Sequence, residues 1–286
     1  MESRATRAPA VCAGGIDWPG RWRAILEARE AAGRGDFLAG GSRWEARAER
    51  FARLARSLDP AADPFVRALG EVIRPTDTVL DVGAGAGRYS MPIASSVASI
   101  TAVEPSTAMR AELARGAAAR GLTNLTVVGG SWETAEVEQH DVAFAANVLY
   151  FVPDAVGFLE KLDHHARRAC LILHRLDQPS AQLLPLWEEI WGRPRPPEPS
   201  ALDLFNLLFS IGIRANLRLA PRPAPVRYTT LEGTVIEARQ SLDLASDDST
   251  RDARIAAFLR GVLTERDGQL EMPPGPQMAI ISWEKA

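Results

Sequence analysis

The chain has 286 residues, 46% of them apolar and 24% charged, with a net charge of −3. That composition supports a sizeable core and lacks the positive excess that draws nucleic acid. Two cysteines, Cys12 and Cys170, are too few for a disulfide framework, and no His/Cys/Asp cluster has metal-ligand spacing. Arg4 and Arg7 are not followed by an apolar stretch long enough for a signal peptide. The longest apolar-rich run, Val142–Val152, is too short to span a bilayer. No membrane association and a cytoplasmic location are therefore expected.

Residues 1–16 are rich in Ala, Gly and Pro, and helical patterns follow at Pro19–Ala32, Ser42–Ser57 and Ala62–Ile73. From Thr78 the pattern changes to strands alternating with helices. Strands are predicted at Thr78–Val82, Ser99–Val103, Leu125–Val128, Asp141–Ala146 and Ala169–His174. Helices are predicted at Gly87–Val97, at Ser106–Ala119 with Ser106 as N-cap, and at Asp154–Arg167. This alternation implies a parallel sheet with right-handed crossovers. Four prolines within 192–199 favour a stiff, extended segment between helical stretches at Ala181–Trp191 and Ala201–Ile211. The tail reads as a strand at Asn216–Leu219, helices at Thr230–Ser241 and Thr250–Thr264, and a last strand at Gln277–Trp283 that can return antiparallel.

The segment Asp81-Val-Gly-Ala-Gly-Ala-Gly-Arg88 carries most of the functional signal. A strand ends at Val82 and a helix is expected to begin near Gly87. Glycine allows the sharp turn between them and the close approach of a ligand. The amides of the expected helix N-terminus favour a negative group there. The dinucleotide fingerprint wants G-x-G-x-x-G, but Arg88 stands where its third glycine belongs. Glu104, 21 residues after Gly83 in Val103-Glu104-Pro105, is placed to accept hydrogen bonds from both hydroxyls of a ribose. Nicotinamide-cofactor proteins use an acid at the same place.

The run V-L-D-V-G-A-G-A-G-R resembles the first motif of class I S-adenosylmethionine-dependent methyltransferases. Gly129-Gly-Ser-Trp-Glu133 and His140–Asp154 are similar to later motifs of that family's small-molecule type. The resemblance covers about Thr78 to His174 and lacks the N-P-P-Y quartet of enzymes acting on nucleic-acid bases. It implies S-adenosyl-L-methionine as cofactor. Cofactor contacts are implied at Asp81, Gly83, Ala84, Gly85, Gly87, Glu104, Pro105, Ser131, Trp132 and Asn147. Asp81 would help hold the ammonium group and Glu104 the ribose. Ser131 stands where the family has Asp beside adenine, and Trp132 is either a cover for the adenine face or core.

The implied architecture is a Rossmann-like, doubly wound, seven-stranded, mostly parallel α/β sheet. Residues 1–74 form an N-terminal helical extension or lid. Residues 75–286 form the cofactor-binding domain, with a lid insertion at about 178–214. Acceptor-side candidates lie at strand ends: His174 as a base near neutral pH, and Tyr150 as a hydrogen-bonding or lining group. Trp187, Trp191, Phe205 and Phe209 either line an apolar acceptor pocket or pack the insertion. They, or Trp18, Trp22 and Trp44, can alternatively serve a subunit contact such as a homodimer's. The expected function is methyl transfer to a small organic acceptor. The alternatives are an NAD(P)-dependent oxidoreductase and a non-catalytic S-adenosylmethionine binder.

Overall fold

The computed structural model describes residues 15–31, 41–176, 183–222, 225–242, 244, 249–273 and 275–285. The predicted helix break at Gly33–Gly40, the N-terminal 1–14 and the start of the insertion at 178–182 lie outside these residues, as does the side chain of Trp44.

Local chemistry sets the helix starts. The helix α1 spans Trp18–Ala31, α2 Gly41–Arg56 and α3 Pro64–Val72. Asp63 caps α3 by accepting from the amides of Phe65 and Val66, and Pro64 occupies a position where no amide donor is needed. Strand β1 (Thr78–Val82) leads into a turn-rich stretch and a short α4, Ser90–Ile93, followed by a 3-10 turn at Ala94–Ser96. The predicted helix Gly87–Val97 is thus shortened, starting at Ser90 and passing into the 3-10 turn. Pro92 explains this, because a helix begun at Gly87 would set the ring of Pro92 against the carbonyl of Arg88.

Strand β2 (Ser99–Glu104) is followed by α5 (Thr107–Ala119), with Ser106 accepting from the Met109 amide as its N-cap. Then come β3 (Leu125–Gly129), β4 (His140–Ala146), α6 (Ala155–His165), capped by Asp154, and β5 (Ala166–Arg175). The remaining elements are α7 (Leu184–Trp191), α8 (Ala201–Ser210), β6 (Asn216–Leu219), β7 (Val226–Tyr228), α9 (Leu231–Ser241), α10 (Ser249–Val262), β8 (Thr264–Arg266), β9 (Gln269–Met272) and β10 (Met278–Glu284).

The chain divides into two units. The first holds residues 1–174, 198–220 and 279–286. Its sheet runs β3-β2-β1-β4-β5-β10-β6. Strands β1 to β5 pair in parallel, and β10 pairs antiparallel with β6. The bond from Lys285 N to Arg168 O closes β10 against β5, in the antiparallel return expected of the last strand. β1 and β4 are apolar and buried along nearly their whole length, as strands covered on both faces should be. Strand order reverses direction between β1 and β4, and such a switch point opens a crevice beyond the carboxyl ends of the strands.

The second unit comprises residues 175–197 and 221–278. Its sheet is β7-β9-β8, packed with a core of Leu186, Trp187, Ala238, Leu242, Ile255 and Leu259. The rings of Trp187 and Trp191 stack within it at 5.6 Å. The insertion expected at 178–214 is therefore drawn differently. Helix α8 belongs to the first unit, where Ala201, Leu204, Leu207 and Leu208 are buried and the helix packs on α1. The four aromatics expected to act together are split accordingly: Trp187 and Trp191 build one core, while Phe205 and Phe209 ride on α8.

Candidate functional site

The carboxyl ends of β1, β2 and β4 come together in register. Val82 lies beside Val103 on one side and Ala145 on the other, and Glu104 lies beside Gly129. The loop after β1 starts at Gly83, whose φ is +74°. A Cβ there would overlap Cγ2 of Val148, so only glycine lets the turn after β4 close on this loop. Gly85 also has positive φ, +56°, yet a Cβ at that position would enter open space. Gly87 packs against Leu113 and Met91.

Glu104 is 6% exposed and its carboxylate reaches this loop. Its Oε2 accepts from the Gly85 amide at 2.8 Å, and Oε1 accepts from the Ser106 amide at 2.8 Å. A carboxylate oxygen accepts from more than one donor at a time, which suits the group to a hydroxyl-rich ligand. Pro105 is exposed, and its carbonyl and that of Glu104 accept from the Arg110 guanidinium at 2.7 and 2.9 Å. The strand tip is thereby stapled to α5.

Asp81 is 2% exposed and accepts a hydrogen bond from Ser90 Oγ. Burial pushes its carboxyl up to about 7; the Ser90 bond pulls the other way, and the nearby Glu104 charge raises it further. Asp81 thus changes charge close to neutral pH.

Two features of this loop differ from a simple anion-binding helix start. The amides of Gly83 and Ala84 donate to Val103 O at 2.8 and 3.1 Å, and Gly87 N donates to Ala84 O at 2.9 Å. They are spent in shaping the loop rather than offered to an anion, and the four-residue α4 supplies no extended N-terminal dipole. Ala84 turns its methyl into a core with Ala55, Met91, Ala102 and Leu113, so it builds the loop rather than touching a ligand with its side chain.

The turn after β3 holds Ser131, whose carbonyl accepts from the Thr134 and Ala135 amides and whose Oγ lies 3.2 Å from Thr134 Oγ1. Trp132 does not cover a ligand face. It is 4% exposed, its Nε1 donates to Phe158 O at 3.2 Å, and the Lys161 ammonium sits 4.5 Å from the ring centroid. Lys161 also donates to the carbonyls of Trp132 and Ala135 at 2.7 and 2.6 Å. A large ring with a single donor is most cheaply satisfied this way, buried with its N–H on a carbonyl. Glu133 is exposed.

After β4, Asn147 is exposed and left-handed, φ +62°. Its Oδ1 accepts from Tyr150 Oη at 3.1 Å. Tyr150 is 3% exposed and stacks on His174, with ring centroids 4.1 Å apart. His174 is fully buried, and its Nε2 lies 3.0 Å from Pro199 O. The base expected at His174 is thus enclosed beneath Tyr150, held by a backbone carbonyl. Helix α1, part of the expected N-terminal extension or lid, is built into this wall. Trp22 is 2% exposed and its Nε1 donates to Val152 O at 2.9 Å; Arg29 donates to Tyr150 O at 3.0 Å.

Three comparisons bear on this geometry. Residues 79–168 match the family model described as a methyltransferase domain. The structure is similar to the YcgJ protein of Bacillus subtilis, at a TM-score of 0.53 and 15% identity, covering 77% of this chain and 97% of that one. It is also similar to a candidate methyltransferase of Bacillus halodurans, at a TM-score of 0.54 and 11% identity, covering 78% and 98%. The chain carries the class I methyltransferase fold. An uncharacterized protein of Haemophilus influenzae is 30% identical over 152 residues, which is 51% of this chain; the chain thus spans about half, 54%, of that curated relative.

The matched stretch contains Asp81, Glu104 and Tyr150. It leaves out α1 and the segment before α8. Ser90, Arg29, Arg110 and Glu198 escaped sequence reasoning. Ser90 has a local signal, since a hydroxyl just beyond a glycine loop can turn back on the strand acid. Arg29 and Glu198 have none, because their pairing joins residues that lie far apart in the chain. Among the described residues, no group of three or more His, Cys, Asp or Glu side chains is arranged to hold a metal, and no helix is long and apolar enough to cross a membrane.

Proposed function

We propose that this chain is an S-adenosylmethionine-dependent methyltransferase acting on a small organic acceptor. The observation that carries the reading is the carboxylate of Glu104 drawn onto the amide of Gly85, beside a loop position whose missing Cβ leaves open space. A nucleoside seated there would present its ribose hydroxyls to Glu104. The sugar is gripped from β2, so the rest of the molecule extends across the end of β1, where Asp81 can hold an ammonium group. Ser131 and the turn it heads would flank the base, and Asn147 borders the opposite end.

When bound, the cofactor supplies a methyl group on a sulfonium, already activated for in-line displacement. The protein's task is then to align the acceptor atom, hold it free of water and keep the sulfonium oriented. Tyr150 and His174 fit that task as a buried stacked pair shaping the wall behind Asn147. The alternative of a nicotinamide dinucleotide is disfavoured by the loop amides, which are already bonded to Val103 and Ala84 rather than open to a pyrophosphate.

Calorimetric titration with S-adenosylhomocysteine and, in parallel, NADH tests the reading. Binding of the first and not the second is expected. Glu104→Ala should weaken S-adenosylhomocysteine by ~100-fold, since two charge-assisted bonds at ~1.5 kcal/mol each are lost. Unchanged affinity in that variant, or tight NADH binding, would overturn the assignment.

A further inference from the structure

The buried polar cluster behind the β4 turn joins Tyr150 and Phe151, inside the methyltransferase match, to Arg29 and Glu198, which lie outside it and outside every motif. Arg29, on α1, is enclosed with its guanidinium on three partners. It donates to Tyr150 O at 3.0 Å, lies 3.1 Å from Glu198 Oε1, and sits 4.9 Å from the Phe151 ring centroid. The side chains of Arg29 and Glu198 are each only 4% exposed. A planar fork can serve a carboxylate and a carbonyl at once, which an ammonium does less well. Two turns of helix earlier, Trp22 holds the same segment at Val152 O. The turn 147–152 is therefore clamped by α1 at two carbonyls.

That turn ends against the glycine loop. Val148 occupies the space a Cβ on Gly83 would need, so its position sets how far the loop and the turn can separate. Asn147, one residue before, is held in left-handed geometry with its amide oriented by Tyr150 Oη. β1 lies between β2 and β4. If the ribose is gripped from the β2 side, the β4 side receives the opposite end of the cofactor.

We propose that Arg29 is a positioning residue for the amino-acid end of the cofactor, acting through the clamped turn 147–152 and Val148 on Gly83. The inference rests on the cofactor reading above. Its contribution is specific to one half of the ligand: the nucleoside half, held by Glu104, is served by elements that α1 does not clamp.

The test uses two probes on the full chain. S-adenosylhomocysteine carries the amino-acid end; 5′-methylthioadenosine has the same nucleoside and sulfur without it. Arg29→Met should lose ~10-fold or more in affinity for S-adenosylhomocysteine and less than ~3-fold for methylthioadenosine, a difference of at least ~0.7 kcal/mol between the probes. Arg29→Lys should recover part of the loss. Trp22→Phe removes only the Nε1 bond and keeps the ring, and should shift the same ratio in the same direction by a smaller factor. It replaces Arg29→Met if that variant does not fold. Equal weakening of both probes, or no weakening of either, overturns the positioning role. Failure of the wild type to bind either probe would instead overturn the cofactor reading itself.

Discussion

The two sides of the cleft are built on different principles. On the β1–β2 side, the strand acid, the glycines and Glu104 fall within Asp81–Glu104, and their contacts run over short sequence distances: Ser90 to Asp81, Gly85 to Glu104, Ser106 to Glu104. On the β4–β5 side, the wall is assembled from α1, the turn after β4, the end of β5 and the segment before α8. Its contacts, Trp22 to Val152, Arg29 to Tyr150 and to Glu198, and His174 to Pro199, mostly cross long stretches of chain. A site of this kind can keep one side constant for a common cofactor while the other side is remodelled by whichever distant segments pack behind it.

The sides meet at Gly83 and Val148, and breaking that contact should have the largest effect. Gly83→Ala places a Cβ at φ +74° into Val148 and should cost ~3 kcal/mol or more in thermal unfolding, together with loss of S-adenosylhomocysteine binding. Val148→Ala in the same chain should recover a good part of the loss, leaving the backbone strain. Additive effects in this double-mutant cycle would mean that the two sides do not touch in the way described.

Asp81 sharpens the comparison through pH. Its carboxyl is raised to about 7, so it is largely neutral below that value, and a cationic amino-acid end binds best once it is ionised. S-adenosylhomocysteine affinity should fall by up to ~10-fold per pH unit below pH 7. Asp81→Asn should bind weakly at every pH, with that dependence gone. Stability has the opposite sign. The folded chain holds a proton that the unfolded chain releases above its ordinary carboxyl value of 3.8, so the residue's contribution falls as pH rises from about 4 to about 7 and is flat above. Asp81→Asn should therefore melt higher than the wild type at pH 8, and the gain should vanish near pH 4. A gain that grows with acidity would contradict the buried, raised carboxyl.

The smallest effect separates structure from contact within the β3 turn. Trp132→Phe keeps the buried ring and loses the bond to Phe158 O, so it should cost ~1 kcal/mol of stability and change S-adenosylhomocysteine affinity by less than ~2-fold. A large, selective loss of affinity would return Trp132 to the adenine subsite.

What could be read from the chain, and what could not, follows the same division. The seven-stranded sheet, the cap at Ser106 and the acid at Glu104 all emerged from local patterns. The length of α4 did not, although Pro92 carried the information. The small second sheet was also overlooked, despite a local signal. Asp267 and Gly268, with φ of +52° and +71°, form the two-residue turn that the pair Asp-Gly favours between strands β8 and β9.

By itself the amino-acid order determined the alternation of strand and helix, the glycine turn and the acid that reaches it, because each depends on backbone preferences and contacts among near neighbours. Only the tertiary structure decided that α1 packs behind Tyr150 and Val152, that Trp132 faces inward, that His174 is enclosed, and that α8 joins the first unit. Those outcomes depend on which buried carbonyls and carboxylates lie within reach of a distant donor. A buried polar group must find a partner somewhere in the folded chain, and its sequence neighbourhood does not say where.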